Sequence, residues 1–157
     1  MSKRAEMEIA RKLMEKRLTL AVAESCTGGL LSNTLTDVPG SSKWFKGGVV
    51  AYTNEVKKRI LGVNTATLKK YGAVSKETAL ELAKNVRKKL NSGIGVSVTG
   101  LAGPGGGTKK TPVGTIFIGA YNGKETLVKE LRLKGSRVAI KKKAGQAALR
   151  ALKGLLR

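Results

Sequence analysis

Apolar residues at the start of the chain change from helical to strand-like spacing and back. Within residues 3–17 the apolar positions are Ala5, Ile9, Leu13 and Met14. This spacing places them on one face of an amphipathic helix. The apolar run over residues 18–23 predicts a buried strand, and helical spacing returns over residues 30–35. A strand, a tight turn and a helix are therefore expected in that order.

The same patterns predict the remaining elements. Further strands are expected over residues 48–52, 95–98, 113–120 and 125–133, and further helices over 54–61, 65–70, 75–90 and 136–155. Asn54, Ser75 and Ser136 are the expected N-caps of three helices. Asn122-Gly123 predicts a hairpin between the last two strands.

This order of elements predicts the α/β class. Helices and strands alternate first, and a hairpin closes the sheet. We expect a single three-layer α/β/α domain over residues 1–157, with a mixed, mostly parallel sheet that ends in an antiparallel hairpin.

The chain is strongly basic. It has 31 Lys or Arg and 10 Asp or Glu residues, a formal net charge of +21, and no acidic residue after Glu130. A basic surface attracts phosphates, although a solvated helix face explains the same charges and is the favoured interpretation. Aromatic residues make up only 4% of the chain, too few for the stacking platforms of specific nucleic-acid binding. Any nucleic-acid binding is expected to be weak and non-specific.

Histidine is absent from the sequence, and Cys26 is its one cysteine. These counts exclude a Ser-His-Asp triad, a Cys-His pair, a histidine metal site, a structural zinc site and an internal disulfide. No metal is expected. Acid–base chemistry near neutral pH then requires Lys, Asp, Glu, Tyr or Cys with a shifted pKa.

Two further patterns concern location. The N-terminal residues are charged throughout without an apolar signal core, and no apolar run approaches the roughly 20 residues that span a bilayer. The sequence therefore predicts a cytoplasmic protein with no membrane partner.

The turn between the first strand and the next helix is the first candidate site. It contains Ser25, Thr27, Gly28 and Gly29. Backbone N–H groups at a helix start can hold an oxyanion or a phosphate. Ser25 is a candidate nucleophile, and Cys26 ranks below it because no histidine can activate the thiol. An N-cap role for Ser25 or Thr27 is favoured on the local pattern alone.

The second candidate site combines Ser42 with Tyr52 and Lys57. Lys57 lies in the run Lys57-Lys58-Arg59, and burial beside other cations would lower its pKa and let it act as a base. Without histidine, a Ser–Lys pair is the natural alternative dyad. Three solvated charges on a short helix are the competing interpretation, which the local sequence favours.

The third candidate site is the loop over residues 99–107, which contains Thr99, Gly100, Gly103, Gly105 and Gly106. Five glycines and one proline in nine residues form a loop whose N–H groups can face a ligand. A flexible connection is the alternative, although loops after strand ends in α/β folds are more often functional.

Ordered blocks of sequence over nearly the whole chain resemble one known family. The blocks are Ala23-Glu24-Ser25-Cys26-Thr27-Gly28-Gly29, Gly40-Ser41-Ser42-Lys43-Trp44-Phe45-Lys46-Gly47-Gly48, Tyr52-Thr53-Asn54-Glu55-Val56-Lys57, Leu61-Gly62-Val63, Gly72-Ala73-Val74-Ser75, Thr99-Gly100-Leu101-Ala102-Gly103-Pro104 and Pro112-Val113-Gly114-Thr115. Together they are similar to the CinA C-terminal domain family, the nicotinamide mononucleotide amidases.

This resemblance implies a homodimer that hydrolyses nicotinamide mononucleotide to nicotinic acid mononucleotide and ammonia in pyridine-nucleotide recycling, without metal or cofactor. It implies catalysis by Ser25 and Lys57 with help from Tyr52, and Ser42 is the alternative nucleophile. The implied substrate-binding residues are Thr27, Gly28, Gly29, Thr99, Gly100, Gly103, Gly105, Gly106 and Arg137. N–H groups of residues 26–29 or 99–107 would hold the oxyanion, and a glycine-rich nest with Arg137 would hold the 5′-phosphate.

Two other classes stay open on the sequence. A nucleotide-binding module without catalysis would share the glycine-rich loops and would not need Ser25 and Lys57 together. A nucleic-acid-associated protein would bind duplexes tightly and lose that binding steeply with salt.

Overall fold

The computed structural model describes residues 3–157. Its strands are β1 (Leu20–Glu24), β2 (Phe45–Val50), β3 (Ile94–Gly100), β4 (Thr115–Tyr121) and β5 (Thr126–Arg132). Its helices are α1 (Lys3–Glu15), α2 (Leu30–Thr36), α3 (Asn54–Arg59), α4 (Thr65–Tyr71), α5 (Lys76–Lys89) and α6 (Arg137–Leu155), with a 3-10 turn at Ser41–Lys43 before β2. The predicted domain over residues 1–157 also includes residues 1 and 2, which lie outside the described residues.

The five strands form one mixed sheet in the order β2-β1-β3-β4-β5. β1 pairs in parallel with β2 and β3, whereas β3–β4 and β4–β5 are antiparallel. The α/β class, the mixed sheet and the closing hairpin are confirmed. Parallel pairings are two of the four rather than the majority, because residues 101–114 join β3 to β4 without the helical crossover that a parallel neighbour needs.

The central strand β1 is buried on both faces, which explains its continuous apolar sequence. Leu20 and Val22 face a core formed with α1, α2 and α6, whereas Ala21 and Ala23 face a smaller core that includes α5. Successive strand residues point to opposite faces, so one short strand supplies both cores. The three-layer arrangement is thereby confirmed.

Side-chain capping fixes where several helices begin. The hydroxyls of Ser75 and Ser136 accept hydrogen bonds from backbone N–H groups at the starts of α5 and α6, as predicted. At α3 the cap is Thr53 instead of the expected Asn54, because the Thr53 Oγ1 accepts from the Val56 N–H at 3.2 Å. Among residues 3–157, no helix combines the length and apolarity required to cross a membrane.

The topology brings the three candidate loops toward one edge of the sheet. The carboxyl ends of β1, β2 and β3 meet there, with Glu24 aligned to Val50 on one side and Val98 on the other. Ser25, Tyr52 and the loop after Gly100 follow these three ends directly. Ligands of open α/β sheets bind at such an edge.

Candidate functional site

Ser25 and Lys57 are in direct contact at the carboxyl edge of β1. The Lys57 Nζ donates a hydrogen bond to the Ser25 Oγ at 3.0 Å. Only 2% of Lys57 and 7% of Ser25 is exposed. The two candidate sites that the sequence suggested separately are therefore one site in the structure.

The backbone before α3 holds the lysine in place. The Lys57 Nζ donates to the Ala51 carbonyl at 2.8 Å and lies 3.5 Å from the Tyr52 carbonyl. The three oxygens around Nζ can accept the three N–H groups of an ammonium. They also suit a neutral amine, whose two N–H groups would donate to the carbonyls while its lone pair accepts the Ser25 hydroxyl proton.

Burial favours the neutral form of Lys57. It lowers the pKa of Lys57 below its ordinary value, because the charged form loses its hydration. Within residues 3–157 Lys57 forms no ion pair that would restore the charge. Its neighbours Lys58 and Arg59 are exposed. The interpretation of all three residues as solvated charges is therefore wrong for Lys57.

Glu24 fixes the turn that carries Ser25. Its carboxylate accepts hydrogen bonds from the N–H groups of Gly29, Leu31 and Ser32 at 3.1, 2.9 and 2.7 Å, and from the Ser32 hydroxyl at 2.7 Å. It occupies the N-terminus of α2, where a negative charge is favourable. The expected cap role of Ser25 or Thr27 is therefore wrong, and the Ser25 hydroxyl is left for Lys57.

The Glu24 contacts also narrow the choice of oxyanion donors. Gly29 N–H is used by Glu24, and Gly28 N–H donates to the Ser25 carbonyl at 3.1 Å. Among the described residues, the N–H groups of Cys26 and Thr27 have no acceptor. Thr27 is fully buried, and its hydroxyl oxygen has no hydrogen-bond partner within this part of the chain. The donors beside Ser25 are therefore these two N–H groups.

Cys26 is a poor nucleophile in this setting. It is 6% exposed, and burial raises the pKa of its thiol to about 11. The thiol is thus protonated near neutral pH, whereas nucleophilic cysteines need a lowered pKa. The ranking of Ser25 above Cys26 has a physical basis in this burial.

Arg137 connects the glycine-rich loop to Tyr52. Its Nη1 donates to the Gly103 carbonyl at 2.6 Å, and its Nη2 donates to the Tyr52 hydroxyl at 2.7 Å. Tyr52 itself is 54% exposed. The guanidinium therefore ties the glycine-rich loop to the segment that follows β2.

The residues that begin the glycine-rich loop pack against protein. Thr99 is buried, and its hydroxyl donates to the Ala73 carbonyl at 2.7 Å. A Cβ on Gly100 would lie 2.6 Å from the Thr115 carbonyl oxygen, so this glycine allows β3 and β4 to approach. Gly100 is thus needed for the pairing of β3 with β4, and the Thr99 hydroxyl proton is already donated within the protein.

The loop becomes open only after Gly103. A Cβ on Gly103 would meet the Val113 side chain at 2.5 Å, whereas a Cβ on Gly105 would have nothing within 4 Å. Gly105 and Gly106 are exposed. Of the loop glycines named from the sequence, these two are free to meet a ligand.

Ser42 lies away from the Ser25–Lys57 pair within one chain. It is exposed on the 3-10 turn before β2, and Phe45 at the start of β2 aligns with Leu20 at the start of β1. Ser25 follows the other end of β1. Five strand residues span roughly 16 Å. The structure does not bring Ser42 to Lys57.

Nearly the whole chain matches one known family. The family model for the CinA C-terminal domain matches residues 2–156. The chain belongs to the CinA C-terminal domain family. Its solved relatives include the competence/damage-inducible protein CihA of Agrobacterium tumefaciens, with a TM-score of 0.91 and 37% identity, where the match covers 98% of this chain and 96% of that one. A Klebsiella pneumoniae competence damage-inducible protein A gives a TM-score of 0.94 and 32% identity over 98% of this chain and 95% of that one.

Longer members of the CinA family also match this chain. A competence-damage inducible protein of Thermoanaerobacter is 55% identical over 135 residues, which are 85% of this chain and 33% of that protein. One of Clostridium kluyveri is 51% identical over 144 residues, which are 92% of this chain and 35% of that protein. The chain thus spans about a third of the length of these relatives.

Sequence reasoning missed Glu24 as a part of this CinA-family site. A carboxylate directly before a Ser-x-Thr-Gly-Gly turn and a helix start was the available signal, since helix N-termini attract carboxylates. Among residues 3–157, no three His, Cys, Asp or Glu side chains are grouped so that they could hold a metal ion.

Proposed function

We propose that this CinA C-terminal domain hydrolyses the carboxamide of nicotinamide mononucleotide to nicotinic acid mononucleotide and ammonia. The observation that carries the proposal is the buried contact of 3.0 Å between the Lys57 Nζ and the Ser25 Oγ. Such a pair activates a hydroxyl for acyl transfer without histidine. The substrate comes from the resemblance of the sequence blocks to the amidase family.

The first step forms an acyl-enzyme. Neutral Lys57 accepts the hydroxyl proton of Ser25 as the Oγ bonds to the carboxamide carbon, and the carbonyl electron pair moves onto oxygen. As this intermediate collapses, the C–N bond breaks and the proton on Lys57 passes to the leaving nitrogen, which departs as ammonia. Lys57 is neutral again at the end of this step.

Donors beside the nucleophile stabilise the negative oxygen. The N–H groups of Cys26 and Thr27 directly follow Ser25 in the chain and have no acceptor among residues 3–157. Fixed N–H donors aimed at a developing oxyanion are among the strongest catalytic devices in acyl transfer. We assign the oxyanion to these two groups.

Water then releases the product. Lys57 takes a proton from the water as its oxygen bonds to the ester carbon. The bond to the Ser25 Oγ breaks, and the Lys57 proton returns to that oxygen. The Tyr52 carbonyl beside Nζ helps to orient the amine, and Arg137 holds the Tyr52 side chain through its hydroxyl. We further expect a cytoplasmic homodimer that needs neither metal nor cofactor.

A direct assay tests the proposal. Purified protein is incubated with nicotinamide mononucleotide without added metal, and ammonia and nicotinic acid mononucleotide are both measured. We expect turnover by the wild type and a loss of at least about 1,000-fold in Ser25→Ala. Lys57→Arg, which keeps the charge and cannot lose its proton near neutral pH, is expected to lose about 100-fold or more.

Two further variants make the assay specific. Lys58→Arg is the matched control for Lys57→Arg, because Lys58 is the adjacent exposed residue, and it should keep full activity. Ser42→Ala separates the two candidate serines. Full activity in Ser25→Ala with loss in Ser42→Ala would transfer the nucleophile to Ser42. No turnover by folded wild type would favour a nucleotide-binding module.

A further inference from the structure

Lys141 places a cation over the turn that follows Ser25. Its Nζ lies 3.6 Å from the position that a Cβ on Gly28 would occupy, and Gly28 is exposed with a φ of +61°. Gly28 closes its turn by donating to the Ser25 carbonyl. The ammonium of Lys141 thus lies beside Gly28, the last residue of the turn that begins at Ser25, the proposed nucleophile. Gly28 has no side chain that would separate the ammonium from the backbone of this turn.

This ammonium has no partner in the part of the chain described here. Lys141 is half-buried, yet it makes neither a hydrogen bond nor an ion pair within residues 3–157. Lys143, two residues on, donates to the Lys134 carbonyl at 2.7 Å. The nearby carboxylate of Glu24 is occupied by the N–H groups of α2. A half-buried cation with no such partner favours an anionic ligand.

The helix that carries Lys141 adds to the positive potential. Arg137 and Lys141 lie four residues apart, which places them on the same face of α6. The first turn of α6 contains no acidic residue. Cations at a helix N-terminus oppose the helix dipole, and a bound anion would offset both charges.

The two cations differ in what they already bind. Arg137 donates to the Gly103 carbonyl and to the Tyr52 hydroxyl. Lys141 keeps its ammonium protons for a ligand. The expected phosphate-binding role of Arg137 is therefore better filled by Lys141, while Arg137 holds the loop.

We propose that Lys141 binds the 5′-phosphate of the substrate and makes the enzyme prefer the mononucleotide over the riboside. This inference rests on the proposed function. In nicotinamide mononucleotide the ring that bears the carboxamide is attached to C1′ of the ribose, and the phosphate is attached to C5′. A carboxamide at Ser25 and a phosphate at Lys141 use both ends of the ligand, and the N–H groups of Cys26 and Thr27 stay with the oxyanion.

The test compares two substrates that differ only in the phosphate. Lys141→Met and wild type are assayed with nicotinamide mononucleotide and with nicotinamide riboside. We expect the variant to lose roughly 10- to 100-fold in kcat/KM for the mononucleotide, mostly through KM, because a hydrogen-bonded charge is lost. Its kcat/KM for the riboside should not change.

Two variants control for folding and for overall charge. Lys142→Met removes the same charge from the next residue, which is exposed, and should leave both substrates unaffected. Lys141→Arg should keep most of the preference for the mononucleotide, because a guanidinium also binds phosphate. If Lys142→Met also loses the preference for the mononucleotide, the preference depends on the overall positive charge of the surface and not on Lys141. That result would overturn the proposal.

Other outcomes are equally decisive. An equal loss on both substrates would assign Lys141 to the reacting centre, and no loss on either would deny it a role. Inorganic phosphate should inhibit the wild type competitively and inhibit Lys141→Met more weakly. If the wild type turns over neither substrate, the proposed function fails. Phosphate-dependent thermal stabilisation of wild type and of Lys141→Met then tests the anion site alone, and equal stabilisation would overturn it.

Discussion

The Nζ of Lys57 lies 3.0 Å from the Oγ of Ser25, although 32 residues separate them in the sequence. The contact exists because β1 and β2 are parallel neighbours whose carboxyl ends lie side by side. Ser25 follows one end directly, and a short connection from the other leads into α3, which carries Lys57. The pair is thus a product of topology, and its chemistry depends on whether the amine is neutral.

The activity should rise with pH through the pKa of Lys57. Burial lowers that pKa, so the neutral base becomes available at lower pH than for a free lysine. We expect kcat/KM to increase with pH along one basic limb, with an apparent pKa below the roughly 10.4 of an unperturbed lysine. A pH–rate profile of kcat/KM for the free enzyme measures it. An apparent pKa at or above the unperturbed value would contradict Lys57 as the base.

The stability should also depend on this lysine. Because the folded-state pKa is lowered, the unfolded state binds more protons between the folded and unfolded pKa values. Stability contributed by Lys57 therefore rises as pH increases through that interval, up to about pH 10. Urea unfolding of wild type and Lys57→Met at several pH values measures the difference. We expect Lys57→Met to have the higher free energy of unfolding at low pH, where the wild type must bury a charged amine. The difference between the two proteins should shrink as pH rises, and a difference that is the same at every pH would refute this.

Glu24 should stabilise the fold as well as the site. Glu24→Gln leaves the turn with an amide that must present its oxygen to several N–H donors while its own NH₂ lacks acceptors. We expect a loss of about 1–3 kcal/mol in the free energy of unfolding, because hydrogen bonds to a buried charge are removed. Urea denaturation measures it. Glu55→Gln is the control, since Glu55 is exposed and its one ion pair within residues 3–157 is with Arg59 at 3.3 Å; its change should stay within about 0.5 kcal/mol. Equal effects would mean that the Glu24 contacts add nothing.

Local sequence patterns predicted the elements better than the site. Ser75 and Ser136 cap their helices as expected, because a cap depends on residues only three positions apart. Lys57, Lys58 and Arg59 are chemically alike, and only the orientation of α3 in the folded chain decides that Lys57 is the buried one. The roles of Glu24 and Lys141 likewise depend on where α2 and α6 lie. A resemblance to a family pointed to Ser25 and Lys57, whereas spacing alone favoured an N-cap and solvated charges.

Arg137 should control the mobility of the glycine-rich loop. Its guanidinium is the contact between the Gly103 carbonyl and the Tyr52 hydroxyl, so Arg137→Met removes both hydrogen bonds and Tyr52→Phe removes one. The amides of Leu101 and Gly114 donate to the Thr115 and Leu101 carbonyls at the base of this loop. We expect their hydrogen exchange to become roughly 10- to 100-fold faster in Arg137→Met, because bonds to a charged group are lost. Tyr52→Phe should give a smaller increase, and Arg150→Met, an exposed arginine on the same helix, should give none. Exchange followed by mass spectrometry distinguishes these cases. If these two amides exchange equally fast in wild type and Arg137→Met, the guanidinium does not hold the loop.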